Sequence, residues 1–137
     1  MRCLREGKIE SRPGVRRTLL IIVGLCSCAC AEDAPVVETV LAHQRHSGGW
    51  PKNYDRKRIL TTSEQRQLQK QRAQADTTID NGATYTEIRL LAAAFDASGE
   101  PKLKLAALRG IDYLLKGQLD NGGWPQKFPG GRGYARE

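Results

Sequence analysis

Cysteine is missing from most of this chain. Cys3, Cys26, Cys28 and Cys30 are the only four, and no residue from Ala31 to Glu137 is another. That excludes a disulfide scaffold and a cysteine-based zinc site from everything after the leader. Histidine is nearly as scarce: His43 and His46 form an i, i+3 pair with no further ligand nearby and read as surface residues. Aromatic residues make up 6% of the chain, too few for an aromatic-lined cavity. Long apolar runs are also lacking. The best, Leu19 to Leu25, is far shorter than the ~20 residues needed to cross a bilayer, so no stable membrane span is expected.

What the first 31 residues do contain is a basic leader, that apolar stretch and a small-residue ending, Ala29-Cys30-Ala31. This is the pattern of a cleaved signal peptide spanning 1–31, with the mature domain at 32–137 and export to the periplasm or the extracellular space. Arg16-Arg17 ahead of the apolar run sets positive charge and could also serve a twin-arginine route. Lipoprotein anchoring at Cys28 is the minor alternative. The net charge of +7 divides accordingly: six basic residues against two acids in the leader, and 16 against 13 afterwards. An excess of +3 in the mature part gives no argument for nucleic acid and would suit a polyanionic substrate.

Past the leader the periodicity is helical and nothing reads as a strand. "PVVETVLAHQ" places Val36, Val37, Val40, Leu41 and Gln44 on one stripe, with Pro35 as a helix start and Gly48-Gly49 as a stop. Residues 56–76 are polar and read as an exposed excursion holding a short solvated helix from Ser63. Thr84 and Glu87 have capping-box spacing ahead of Ile88, Leu91, Ala92 and Phe95. Gly99 ends that helix and Pro101 opens another, whose apolar face is read as Leu105, Leu108, Ile111, Leu115 and Gln118. So short a link implies antiparallel neighbours packed as a hairpin.

The two tryptophans stand in one repeated word. An apolar helix runs into Gln-x-x-x-Gly-x-Trp-Pro at Gln44 to Pro51 and again at Gln118 to Pro125, 74 residues later. The glutamine can tie down loop backbone groups, glycine permits a left-handed turn, and tryptophan covers the next hairpin's edge. Stacked and closed, such units make an all-α, α/α toroid.

The loop "TTIDNGATYTE", residues 77–87, is the most specific chemical candidate. Asp80 and Asn81 offer hard oxygen ligands for a cation such as calcium next to a helix start, where backbone amides also favour anions. The same three letters, Asp-Asn-Gly, also make an ordinary turn, and one aspartate is little charge for calcium. Asp120 and Asn121 read as turn residues, while Lys52 and Asn53 could meet a substrate carboxylate or decorate a rim.

"GGWPKNYD", "TIDNGATYTEIRLLAAAF", "ALRGIDYLLKGQ" and "NGGWPQKFP" occur in this order in the pectate lyases of polysaccharide lyase family 10, also called pectic acid lyases, which the chain resembles over roughly residues 36–134. The resemblance implies an (α/α)3 toroid that cleaves polygalacturonate by calcium-dependent β-elimination to unsaturated oligogalacturonides, with an arginine as the base. It implies a catalytic and calcium-binding role for Asp80 and substrate contacts for Lys52 and Asn81, in a monomer. After "GGRGYARE" the family continues into a second acidic calcium motif and then into the helices bearing the arginine; Arg132 and Arg136 are in the wrong place to replace it. The expectation is therefore the N-terminal part of such a module, an incomplete toroid that is inactive and marginally folded as it stands.

Two alternatives stay open. Arg109-Gly110 through Trp124 also fits the repeat of squalene and oxidosqualene cyclases, although the eight aromatics do not suggest their cavity. A non-catalytic polysaccharide-binding module would use Trp50 and Trp124 as sugar-stacking platforms.

Overall fold

In the computed structural model, residues 30–130 are described, with side-chain surroundings from Ala34 onward. The leader as far as Ala29, Arg132 and Arg136 lie outside that range, while its last two residues, Cys30 and Ala31, already belong to a helix. Among the described residues four helices follow one another, α1 (Cys30–His43), α2 (Thr62–Gln71), α3 (Tyr85–Ser98) and α4 (Pro101–Gly117), with one 3-10 turn at Asp80–Gly82. No strand occurs among the described residues; one isolated antiparallel bridge joins Thr78 and Lys127. The fold class is all-α.

Pro35 does not start α1 but lies inside it. As the sixth residue of the helix it lies past the first turn, so it forgoes a backbone bond that another residue would make there. The stripe behind it is as read: Val40 is buried, and Val36, Val37 and Leu41 pack against the core with it. α2 begins at Thr62, one residue ahead of Ser63, and buries no side chain. Thr61 caps it: the Glu64 carboxylate accepts from the Thr61 backbone N–H at 2.8 Å, and the Thr61 hydroxyl accepts from the Glu64 N–H. That reciprocal bonding, with the Arg58 guanidinium alongside, holds the Glu64 carboxyl down at about 2.

The hairpin of α3 and α4 forms as the short Gly99–Glu100 link implies. Gly99 takes φ +71° and returns its N–H to the Phe95 carbonyl, and Pro101 is the first helical residue of α4. The face of α4 differs from the expectation. Leu105, Leu108, Ile111 and Leu115 are exposed, as is Gln118, while Leu103, Ala106, Ala107, Gly110 and Tyr113 are buried. Small residues win the inner face because α3 and Trp50 come too close for aliphatic bulk: a Cβ on Gly110 would stand 2.5 Å from Ile88 Cγ1 and 2.9 Å from Trp50 Cζ3. On α3, Leu91 is buried and Ile88 and Phe95 flank it, but Ala92 faces outward.

The capping box expected at Thr84 and Glu87 does not form. Thr84 has φ +69°, a conformation costly for a β-branched residue, and its hydroxyl serves tertiary contacts. It accepts from the Trp50 backbone N–H at 3.1 Å and donates to the Thr78 carbonyl at 2.9 Å. Glu87 is fully buried instead of capping, with Arg56 at 2.7 Å and the Tyr54 hydroxyl donating at 3.0 Å. Burial and the Glu87 charge push the Tyr54 phenol well above its usual range. His43 stacks on the Tyr54 ring at 4.0 Å and is half-buried, unlike the exposed His46. Desolvation holds the His43 imidazole below its ordinary value.

Candidate functional site

Both copies of the repeat make the same hydrogen bonds. Gln44 Nε2 donates to the Gly48 carbonyl at 2.9 Å, and Gln118 Nε2 donates to the Gly122 carbonyl at 3.0 Å. Gly48 has φ +96° and Gly122 has φ +84°. The indole N–H of Trp50 donates to the Val40 carbonyl, and that of Trp124 to the Leu114 carbonyl, each at 2.7 Å. The word therefore folds a loop back and pins its tryptophan to the helix before it. Trp50 is buried under α4, which removes it from any sugar-stacking role; Trp124 is 42% exposed.

These loops aim their tails at the Asp80 loop from two sides. On one side the Thr78 N–H donates to the Trp50 carbonyl at 3.1 Å. On the other, the Ile79 N–H donates to the Gln126 carbonyl at 3.1 Å and the Thr77 hydroxyl to the Phe128 carbonyl at 2.6 Å. Tyr113 spaces the two loops: a Cβ on Gly49 would stand 2.9 Å from its ring, and its ring centroid lies 5.7 Å from that of Phe128. The segment from Thr77 to Ile79 is thereby clamped between the two turns.

Four of the residues singled out in the sequence come together there. Lys52 is ion-paired with Asp80, and Asn81 Nδ2 donates to Asn53 Oδ1 at 3.2 Å. The Lys52 ammonium, together with the Asn81 backbone N–H and the Gln126 side chain, holds the Asp80 carboxyl below the usual carboxylate range. Asn53 and Asn81 have φ of +64° and +51°; with Thr84 these are all the positive-φ non-glycine residues among those described. Left-handed backbone at three side-chain-bearing residues around one carboxylate is strain concentrated at one spot, a pattern associated with function. Asp80 opens the 3-10 turn, and α3 starts only at Tyr85, so the helix start is not immediately behind it.

Gln126 was not singled out in the sequence. Shifting Lys52 by the 74-residue repeat lands on Gln126, so the period itself carried the signal. Asp120 and Asn121 are turn residues as read, with Asn121 Oδ1 accepting from the Gly123 N–H at 2.9 Å.

The oxygens at hand, one Asp80 carboxylate and the Asn53 and Asn81 amides, suit a hard cation in kind. They fall short in number: no cluster of three or more acids, histidines or cysteines exists among the described residues. The Lys52 contact would have to open before Asp80 could serve as a ligand.

The family model of the pectic acid lyases matches residues 44–137. An aspartate-to-alanine mutant of a family 10 polysaccharide lyase from Cellvibrio cellulosa, in complex with trigalacturonic acid, is similar in structure, with a TM-score of 0.63 and 29% identity over 79% of this chain. The family 10 polysaccharide lyase from Cellvibrio cellulosa gives a TM-score of 0.58 and 28% identity over 79% of the chain. The chain spans 30% of the length of each of these solved relatives. No curated protein matches it. With the matched residues covering both repeat words and the Asp80 loop between them, the chain belongs to the pectic acid lyase family.

Proposed function

We propose that the described residues form part of a site for polygalacturonate in a calcium-dependent pectate lyase, within an (α/α)3 toroid of which this chain supplies the first units. The observation that carries the reading is Asp80, held between the tails of the two Gly-Gly-Trp-Pro loops with Lys52 on it and Asn81 beside it. Lys52 is placed to release Asp80 and take a uronate carboxylate, because an ammonium exchanges one carboxylate for another at little cost near the surface. Asp80 and Asn81 would then face a cation shared with the substrate. When bound, calcium would neutralise the uronate carboxylate and stabilise the anion that follows loss of the C5 proton. Backbone bonds from Thr78 and Ile79 to the two tails fix the segment that leads into Asp80, which limits relaxation as charge develops.

By the family resemblance, the proton-abstracting arginine and a second calcium aspartate belong to later segments. The 137-residue chain is accordingly proposed to bind without cleaving. Affinity electrophoresis through polygalacturonate, with and without calcium, tests this. The wild-type chain is expected to be retarded, more so with calcium, and Asp80→Ala is expected to lose the calcium increment. Absence of retardation of a folded chain under both conditions would remove the reading. Appearance of unsaturated-uronate absorbance would keep the lyase assignment and overturn the proposed inactivity.

A further inference from the structure

Gln44 makes contacts that its repeat partner Gln118 does not. Besides the loop bond to Gly48, its Nε2 donates to the Ala106 carbonyl at 2.9 Å, which ties α1 to α4. Its two oxygens collect two guanidinium groups: Arg109 Nη2 donates to Oε1 at 2.6 Å, and Arg72 Nε donates to the backbone carbonyl at 3.3 Å. Arg109 stands on α4 and Arg72 caps the end of α2. Neither has a carboxylate within ion-pair distance among the described residues. Burial and then the Arg72 charge push the Arg109 guanidinium below its usual range. Two cations anchored side by side with no ion-paired carboxylate among the described residues is an arrangement that an anion would relieve.

The pair opens onto a groove of about 410 Å³ between α1, α2 and α4. From α2 come Gln65, Gln69 and Arg72, at i, i+4 and i+7; the apolar part is Leu41, Ala42 and Leu105, and Glu38 lines the α1 side with its carboxylate taken by Lys102. Because α2 buries nothing, this stripe of amides contributes no core, yet the helix is held in place at both ends. The Thr39 hydroxyl donates to the Arg58 carbonyl at 2.6 Å ahead of it, and the His46 N–H donates to the Arg72 carbonyl at 2.7 Å behind it. Lys102, at the rim, is already engaged by Glu38 and Glu100. The groove shares no residue with the Asp80 cluster.

We infer that this groove is a second saccharide site, taking a uronate carboxylate on Arg72 and Arg109 and sugar hydroxyls on Gln65 and Gln69. The uronate class rests on the proposed function above; the arginine pair does not. A nucleic acid is disfavoured because no residue lining the groove is aromatic, and single strands are held largely by stacking.

Calorimetric titration of the whole chain with trigalacturonate tests it, with the Asp80 cluster disabled by Lys52→Ala/Asp80→Ala. Binding is expected to persist in that background and to weaken about tenfold or more when Arg72→Gln/Arg109→Gln is added. Since those arginines also brace Gln44, Gln65→Glu/Gln69→Glu serves as a second variant. It leaves every Gln44 contact in place and is expected to weaken binding similarly, with unchanged circular dichroism. Persistent binding that ignores both groove variants would overturn the inference. So would loss of all binding in the Lys52→Ala/Asp80→Ala background while the wild type binds, an outcome that leaves the proposed function standing. If the folded wild type binds no trigalacturonate at all, both fall. An oligonucleotide binding the groove more tightly than trigalacturonate would overturn the saccharide assignment alone.

Discussion

Gly48 and Gly122 occupy the same place in the two repeat words, and both need a left-handed backbone, but only one is crowded. A Cβ on Gly48 would lie 2.2 Å from the Arg109 carbonyl oxygen, whereas one on Gly122 would meet nothing within 4 Å. Gly48→Ala is therefore expected to destabilise by about 2–4 kcal/mol, from strain plus overpacking. Gly122→Ala should cost about 1 kcal/mol, from strain alone. Urea unfolding of the two variants measures the difference, and equal costs would mean that the first loop is not wedged against α4. At this scale the sequence was informative where chemistry is local. The glutamine, glycine and tryptophan roles in the repeat could be read from residue type, and so could Lys52, Asp80 and Asn81 as candidates. Thr84 and Glu87 could not, because their spacing suits a capping box and only the tertiary partners Trp50, Thr78 and Arg56 divert them.

Elements obey the same division between local and non-local signals. Helix ends at Gly99 and Pro101 follow from backbone preferences, and the hairpin follows from the short link. The inner face of α4 departs from the strongest apolar stripe, which the long aliphatics mark, because the close approach of α3 and Trp50 leaves room only for Gly110 there, with Ala106 and Ala107 buried alongside. The connection between α2 and the Asp80 loop depends on one buried cation. Arg45 is 4% exposed and forks onto Asp76, with Nε and Nη2 each donating at 2.7 Å. That hydrogen bonding lowers the Asp76 carboxyl below its ordinary value. A depressed carboxylate contributes stability that is fully present above its unfolded value and is lost as pH falls through the folded one. The Asp76 contribution should thus be flat near neutrality and drop below about pH 4. Asp76→Asn should cost about 1–2 kcal/mol at neutral pH, a charge-assisted bond discounted for the exposure of the aspartate, and should flatten the acid limb. Urea midpoints of both proteins across that range check it; an unchanged acid limb would assign the pH dependence to other groups.

Across the whole molecule, the first repeat is covered and the second is open. Trp50 lies beneath α4, while Trp124 and the stripe of Leu105, Leu108, Ile111 and Leu115 are exposed. The first loop shows how the second would be covered in a toroid: an adjoining hairpin would present small residues to Trp124, as Gly110 does to Trp50. The candidate site lies between the two repeat words. The Asp80 loop is bonded to the tail of each word, so that neither repeat alone would hold it. These two tails and the loop between them are proposed to form one carbohydrate-binding surface. Amide chemical-shift mapping of the chain with trigalacturonate in the presence of calcium tests it most directly. Shifts are expected at Lys52, Asn53, Asp80, Asn81 and Gln126 together. Shifts confined to Trp124 and the exposed stripe of α4, with the Asp80 loop unmoved, would contradict it.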